Sequence, residues 1–242
     1  LMEFPAGVLG VALSTILLPN LSKSFSKKKT GDYSELINWG LRFGILLAVP
    51  AAIALAILAI PLISTLFYYG AFTKTDILMT QYALVAYSIG LVGLILIKIL
   101  APAFYAQQNI KTPVKIALFT LFCTQFMNLI FIGYLKHTGL ALAIGLGACI
   151  NAGLLFYNLK KGKVFKLNSG WPIFLSKIIV AAFIMALGLI YFKGSIELWV
   201  NYSALSRFSH LIALILFGTT IYFLTLKIFR LDVTDFFKKT IH

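Results

Sequence analysis

The chain has 242 residues, of which 60% are hydrophobic and 12% are charged, whereas a soluble domain averages about half apolar and a quarter charged residues. This composition excludes a water-soluble globular domain, because its core could not bury so much apolar surface, and it favours a membrane protein. The formal net charge of +14 does not indicate nucleic acid binding, because the basic residues lie in short loops between apolar runs and form no continuous groove.

The apolar runs predict about seven membrane-spanning helices, since about 20 mostly apolar residues suffice for one crossing. They cover residues 1–22, 36–67, 77–105, 113–135, 139–159, 172–192 and 207–229. The second and third runs are longer than a straight crossing needs, and Pro50, Pro61 and Pro102 predict kinks or tilts in them. Backbone groups in lipid need partners within their own segment. The predicted fold class is therefore all-α, a polytopic membrane helix bundle.

The chain starts within an apolar run. It begins at Leu1 and continues as LMEFPAGVLGVALSTILLPNL, without an initiator Met or a basic region ahead of the run. This pattern is not typical of a signal peptide. We expect the chain to be a fragment that begins part-way along a helix.

The basic residues predict the orientation of the helices. When the loops are assigned alternately to two sides, fifteen of the 21 basic residues fall on one side, and four (Lys74, Lys136, Lys193 and Arg207) fall on the other. The richer side is expected to be cytoplasmic. The first span then starts outside and the C-terminus lies inside, which requires an odd number of spans and agrees with seven.

Glu3 is the one acidic residue within a predicted span, and charges in the membrane are costly enough to indicate a function. It shares a helical face with Gly7 and Gly10, and small residues allow another helix to approach. Glu3 is therefore a candidate substrate-cavity residue that binds a cationic group or an ion. The alternative is a carboxylate at the outer water interface.

The remaining two basic residues, Arg42 and Lys98, lie within spans near their predicted inner ends. There a long side chain can reach the interface with its charge while its stem stays in apolar surroundings. A role in a cavity or in an interface between helices is the alternative for both residues.

Neutral polar residues recur in the fourth and fifth spans. They include Thr120, Thr124, Gln125 and Asn128 in the fourth span and Asn151 in the fifth. Such residues usually form hydrogen bonds between helices, and a substrate or ion site is the alternative. In the fifth span Ala141, Gly145 and Cys149 are spaced by four, which predicts close packing against another helix.

The sequence contains no paired-carboxylate motif, no metal-spaced His/Cys cluster, no phosphate-binding loop and no serine elbow. We therefore predict no catalytic residues, no metal site and no cofactor. This pattern disfavours an ATPase or a metal-dependent transferase.

Three long stretches resemble the MurJ (MviN) family of bacterial lipid II flippases. They are LMEFPAGVLGVALSTILLPNLSKSF, LAPAFYAQQNIKTPVKIA and MNLIFIGYLKHTGLALAIGLGACINAGLL. The resemblance implies the fold of the multidrug/oligosaccharidyl-lipid/polysaccharide exporter superfamily, with fourteen helices in two six-helix lobes plus an extra pair. This chain would be the C-terminal half. Residues 1–160 would supply five helices of the C-terminal lobe, and residues 161–242 would supply the two additional helices and a cytoplasmic tail.

The resemblance also implies a function. Such proteins move lipid II, the undecaprenyl-linked peptidoglycan precursor, across the bacterial cytoplasmic (inner) membrane by alternating access. The implied partners are lipid II, membrane lipids and the N-terminal lobe of the same protein, without nucleic acid. Coupling is left open between the membrane potential and a monovalent ion.

The resemblance assigns roles to two parts of the chain. Glu3 matches the acidic residue of the family's Arg-Leu-Met-Glu-Phe-Pro segment, which faces the cavity. The helices at residues 172–192 and 207–229 correspond to a pair thought to form a groove for the lipid tail.

Three hypotheses follow. The first is half of a lipid II flippase. The second is a membrane-embedded enzyme acting on lipid-linked glycan, which should show acids clustered near the outer face, where Asp76 and Glu197 are isolated. The third is a non-catalytic envelope scaffold, which predicts that Glu3→Ala has no effect in the full-length protein. We favour the first.

Overall fold

The computed structural model describes residues 3–162 and 164–231, without the side chains of Glu3, Phe4, Leu9 and Val11. This part of the chain is helical and contains no strand. Its helices are α1 (Glu3–Ser26), α2 (Thr30–Ile57), α3 (Ala59–Phe67), α4 (Lys74–Ala106), α5 (Lys111–Lys161), α6 (Trp171–Phe192), α7 (Ile196–Asn201) and α8 (Ala204–Ile228). The predicted all-α class is confirmed. The predicted cytoplasmic tail lies, apart from its first residues up to Leu231, outside the described residues.

The long helix α5 reverses direction at Lys136, where the backbone is not helical (φ 51°, ψ −130°). A Cβ placed on Gly139 would lie 2.6 Å from the carbonyl oxygen of Phe131, and one on Gly147 would touch the hydroxyl of Thr124. Residues 124 and 147 would be about 35 Å apart along a continuous helix. Residues 111–135 and 137–161 are therefore the two antiparallel limbs of a hairpin.

The hairpin bears on how many times the chain can cross a membrane. Six of the described helices are long and apolar enough to cross a membrane, and α5 is one of them. Each of its limbs is about 37 Å long, which is more than the hydrocarbon thickness of about 30 Å. One crossing by each limb would give seven crossings, the number that the sequence predicts.

Of the three prolines predicted to disturb the long spans, Pro61 coincides with a break. Helix α2 ends at Ile57 and α3 begins at Ala59, because Pro61 has no N–H to donate to the carbonyl of Ile57. Pro50 and Pro102 lie inside α2 and α4, which continue through them.

The chain divides into two compact units. Unit 1 comprises Leu1–Ala48 and Ala86–Trp171, and unit 2 comprises Val49–Val85 and Pro172–His242. The boundary at residue 160, which follows from the helices implied by the family, stays a prediction.

In unit 1, α4 packs directly on the second limb of α5 with almost no side chain between the two backbones. A Cβ on Gly90 would touch the Cα of Gly145, and one on Gly93 would lie 2.7 Å from the carbonyl carbon of Ala148. The close packing predicted for Gly145 is confirmed. Such close approach increases van der Waals contact, which is the main attraction between helices in lipid.

In unit 2, α6 and α8 pack together through small residues and expose apolar side chains elsewhere. Gly188 lies against Phe217, and Gly218 lies against Leu189. Phe183 and Leu216 are 61% and 62% exposed, as expected for helices that face lipid broadly.

Alanine substitutions at two glycines of unit 1 test the close packing, and we expect them to change the stability in opposite directions. Gly90→Ala should lower the melting temperature in detergent, because the new methyl group meets the backbone of Gly145, which cannot move aside, and overpacking costs about 1–3 kcal/mol. In the matched control Gly153→Ala, no atom lies within 4 Å of the new methyl group, so the higher helix propensity of alanine should raise stability by up to about 1 kcal/mol. Equal effects of the two substitutions would contradict the packing described here.

The reversal at Lys136 carries backbone strain, since a non-glycine residue is rarely found at φ 51°, ψ −130°. Lys136→Gly should stabilise the protein by about 1 kcal/mol, because the relief of strain exceeds the entropic cost of glycine. The control Lys115→Gly, in the regular first limb, should instead destabilise it by about 1 kcal/mol. Thermal unfolding of both variants in the same detergent measures the difference, and a loss of stability in Lys136→Gly would refute the strain.

Candidate functional site

The side chain of Glu3 lies outside the described residues, but its face of α1 is described at Gly7 and Gly10. At Gly10 another helix approaches, because an added Cβ would lie 2.7 Å from Cγ of Lys98 on α4. At Gly7 no described atom lies within 4 Å of an added Cβ. The face is therefore covered by Lys98 at Gly10 and open one turn nearer to Glu3.

Lys98 lies on α4 about 12 Å before the end of the helix at Ala106. The aliphatic stem of Lys98 packs against Gly10, while the residue as a whole is exposed. An exposed ammonium group at this depth can pair with an anion in a cavity or extend towards the interface. Lys98 of α4 thus contacts the face of α1 to which Glu3 belongs.

Arg42 contacts the connection between α5 and α6. Its Nη2 donates a hydrogen bond to the carbonyl oxygen of Ser169 (3.2 Å), and its guanidinium lies 5.4 Å from the centre of the Trp171 ring. The roles that the sequence suggests for Arg42, at the membrane interface or in a cavity, stay predictions.

The polar residues of the first α5 limb form bonds within their own helix. The hydroxyls of Thr120 and Thr124 donate to the carbonyls of Ile116 (2.8 Å) and Thr120 (2.9 Å), as threonine commonly does in helices. Asn128 donates to Gln125 (2.9 Å). Thr124 also packs against Gly147 of the second limb, where Asn151 is half-buried. Thr124 therefore joins the two limbs by packing, and the hydrogen bonds of these polar residues stay within the first limb.

Arg207 is a buried charge that the sequence pattern does not reveal. It is 6% exposed. Its Nε donates to the carbonyl oxygen of Trp199 (2.9 Å) and its Nη2 to that of Val200 (2.9 Å). Its Nη1 donates to the carbonyl oxygens of Tyr68 (3.0 Å) and Ser64 (3.3 Å), and the guanidinium lies 4.8 Å from the centre of the Tyr68 ring.

These four carbonyls explain why an arginine is buried here. They lie at the C-terminal ends of α3 and α7, where backbone oxygens lack helical partners and the helix dipole is negative. The five N–H donors of a guanidinium form a fixed fork that reaches several acceptors at once. Arg207 itself sits in the first turn of α8, where a cation opposes that helix's own dipole, so its contacts with α3 and α7 must compensate.

Unit 2 also contains a cavity of about 350 Å³ between the end of α6, α7 and the first half of α8. Its walls are mainly aromatic and aliphatic, and they include Phe192, Leu198, Trp199, Tyr202, His210 and Phe217. The ring of His210 stacks on Tyr202 (4.8 Å between centres), and its Nδ1 lies 2.9 Å from the carbonyl oxygen of Ser206. Because a carbonyl only accepts hydrogen bonds, a hydrogen bond across this distance requires a proton on Nδ1.

Within residues 3–162 and 164–231, no group of three His, Cys, Asp or Glu side chains is placed to hold a metal ion. What the described residues offer is a basic group beside an open helix face in unit 1 and an apolar cavity in unit 2. These features suit the binding of an anion and of an apolar chain.

Arg207→Lys tests the role of the guanidinium without removing the charge. We expect unit 2 to lose about 2–4 kcal/mol of stability, because an ammonium cannot reach all four carbonyls and some of them stay buried without a donor. The exposed Arg230 supplies the control Arg230→Lys, which should change stability by less than about 0.5 kcal/mol. Thermal unfolding in detergent measures both, and comparable melting temperatures would contradict a structural role for Arg207.

Comparisons with known proteins identify a family with a similar sequence. The model of the family described as lipid II flippase MurJ matches residues 1–209. The lipid II flippase MurJ of Burkholderia cenocepacia is 47% identical over 225 residues, covering 92% of this chain and 43% of that protein. The probable lipid II flippase MurJ of Buchnera aphidicola subsp. Schizaphis graminum is 39% identical over 241 residues, covering 99% of this chain and 46% of that protein.

A solved structure is also similar. It is described as lipid II flippase MurJ in an inward closed conformation, and it matches 94% of this chain and 44% of its own with a TM-score of 0.77 at 25% identity. The chain thus spans less than half the length of the proteins it matches.

Proposed function

The chain belongs to the lipid II flippase MurJ family, and we propose that it forms the C-terminal part of a flippase that moves lipid II across the bacterial cytoplasmic membrane. The observation that carries the proposal is the family match over residues 1–209, which runs from α1 through α7 and into α8. Transport would proceed by alternating access to a cavity between this part and an N-terminal lobe. In this proposal the chain is part of a transporter and not an enzyme.

The proposed orientation places the C-terminus in the cytoplasm. Its support is the excess of Lys and Arg on one side of the helices together with seven crossings, an odd number that puts the two ends of the chain on opposite sides. The hairpin of α5 matters here, because a single crossing by that helix would reverse the orientation of α6 and α8.

We assign Glu3 and Lys98 to the wall of the substrate cavity. Both belong to one face of the α1–α4 pair, which is open at Gly7. The pyrophosphate of lipid II is anionic, so the ammonium of Lys98 would attract it, and Glu3 would set the pattern of charge around it. No cofactor is part of this proposal, and the membrane potential or a monovalent ion would supply the driving force.

The cavity in unit 2 is a further reason to propose that this chain contacts the lipid tail of lipid II. Its lining is mostly apolar, and α6 and α8 expose apolar side chains besides. An undecaprenyl chain gains nothing from polar contacts, so surfaces of this kind are compatible with it.

Asp76 and Glu197, the acidic residues expected near the outer face, do not support the hypothesis of an enzyme. Asp76 bonds to Thr73 (2.7 Å between side-chain oxygens), and Glu197 accepts a hydrogen bond from Lys74 (3.0 Å). The hydrogen bond from Lys74 and further bonds within its own helix start lower the pKa of Glu197, so this carboxylate is ionised at neutral pH and unsuited to act as a general acid.

The cavity role is tested by Glu3→Ala in the full-length protein that carries this chain, expressed in a strain depleted of its own flippase. We expect growth to fail and the rate of lipid II export to fall about tenfold or more, which corresponds to about 1.4 kcal/mol in the barrier. The matched control is Glu35→Ala, an exposed acid at the start of α2, which should support normal growth. Normal growth and export with Glu3→Ala would rule out the cavity role and favour the scaffold.

A second experiment addresses the chain itself. Expressed alone in the depleted strain, residues 1–242 should give no export, because one wall of a cavity cannot alternate access between two sides. Co-expression with an N-terminal lobe is the comparison, and export by the chain alone would refute the two-lobe proposal.

A further inference from the structure

Three residues of α2 hold the connection between α5 and α6. Ser34, Asn38 and Arg42 recur every four residues and therefore share one face of the helix; we call them the α2 ladder. Each contacts the α5–α6 linker, of which residues 162 and 164–170 are described. The backbone N–H of Lys166 donates to the hydroxyl of Ser34 (3.0 Å), which donates to the carbonyl of Lys166 (3.1 Å).

Asn38 is the centre of the ladder and is 2% exposed. Its Nδ2 donates to the carbonyls of Ser34 (2.8 Å) and Lys166 (2.8 Å). Its Oδ1 accepts from the backbone N–H of Asn168 (3.2 Å) and from Nε1 of Trp171 (2.9 Å). All four hydrogen-bonding positions of the amide are therefore used.

The linker is fixed at both of its ends. Phe165 is 1% exposed and packs edge-on against Phe156 of α5, with 5.9 Å between ring centres. Trp171, which Asn38 and Arg42 both contact, is the first residue of α6. A connection of this length on a protein surface is ordinarily mobile, so the ladder converts it into a fixed entry to α6.

Other asparagines in the helices show that this arrangement is specific. Asn20 and Asn158 each donate to the carbonyl four residues earlier in their own helix, at 2.9 Å. Asn38 does the same to Ser34 but also makes three bonds to residues about 130 positions away. Separating the linker from α2 would leave a buried amide with most of its partners lost, which is costly.

We propose that Asn38 is a positioning residue for transport, which keeps the linker and the first residue of α6 attached to α2 throughout the cycle. The linker and this part of α2 then move as one rigid element. The inference rests on the proposed function for its role in transport, while the attachment itself can be measured independently.

The first test measures attachment without transport. Trypsin cleaves after lysine, and the carbonyl of Lys166 is bonded to the α2 ladder, so cleavage there requires the linker to open locally. In the full-length protein in detergent, Asn38→Ala should be cut after Lys166 at least about tenfold faster than the control Asn158→Ala. Trp171→Phe, which removes the indole donor and keeps an aromatic side chain, should show a smaller increase in the same direction. Unchanged cleavage in both variants would overturn the attachment.

The second test concerns the cycle. Lipid II export by Asn38→Ala should fall about tenfold relative to Asn158→Ala, and the milder Trp171→Phe should lower it less. Adding Ser34→Cys and Lys166→Cys to Asn38→Ala allows a disulfide to replace the lost hydrogen bonds. Oxidation should then restore export compared with the same protein kept reduced, an effect that general misfolding would not produce.

Two results would overturn the proposal for Asn38. One is normal export by Asn38→Ala despite faster cleavage after Lys166. The other is lower export after the disulfide has formed, which would mean that the linker must leave α2 during transport. If instead the unsubstituted protein exported no lipid II, the proposed function would fail, while the cleavage result would still report on the attachment.

Discussion

The structure depends on a constraint that lipid imposes: apolar side chains gain nothing by leaving lipid for a neighbouring helix, so helices must associate by other means. Close backbone contact is one of them. At Gly90 and Gly145 the missing side chains let α4 meet α5 backbone to backbone, and a methyl group on Gly90 would collide with the backbone of Gly145. In unit 2, small residues likewise allow α6 and α8 to pack closely.

Polar side chains supply the other means, and they act where helices end. Carbonyls in the last turn of a helix have no partner along the chain, and outside the helix the linker carbonyls have none either. Arg207 donates to four such groups around α3 and α7, and Asn38 bonds the linker before α6. Each residue exploits the number of donors and acceptors that its side chain presents in a fixed geometry.

The sequence predicts the features that depend on local pattern. The apolar runs predict the helices, and the polar break between residues 135 and 139 predicts the hairpin of α5. Pro61 indicates the break before α3. The spacing of small residues around Gly145 predicts the close contact with another helix. Arg207 and Asn38 escape prediction because their partners are backbone carbonyls and amides up to about 140 residues away, and every residue has such groups. A signal for Asn38 was nevertheless present, since Ser34, Asn38 and Arg42 repeat with the same spacing as the polar stripe of α5.

The distribution of these contacts bears on the proposed cavity. In unit 1, α4 is fixed to α5 by backbone packing, and α2 is fixed to the linker by four-way hydrogen bonding at Asn38. The α1 face that carries Glu3 has neither kind of contact at Gly7, and at Gly10 it meets only the flexible stem of Lys98. A surface that must meet different surroundings in turn cannot be held by interlocked backbones or saturated amides. The described contacts of this face are thus looser than those of α4 with α5 or of α2 with the linker, as the cavity role proposed for Glu3 and Lys98 requires.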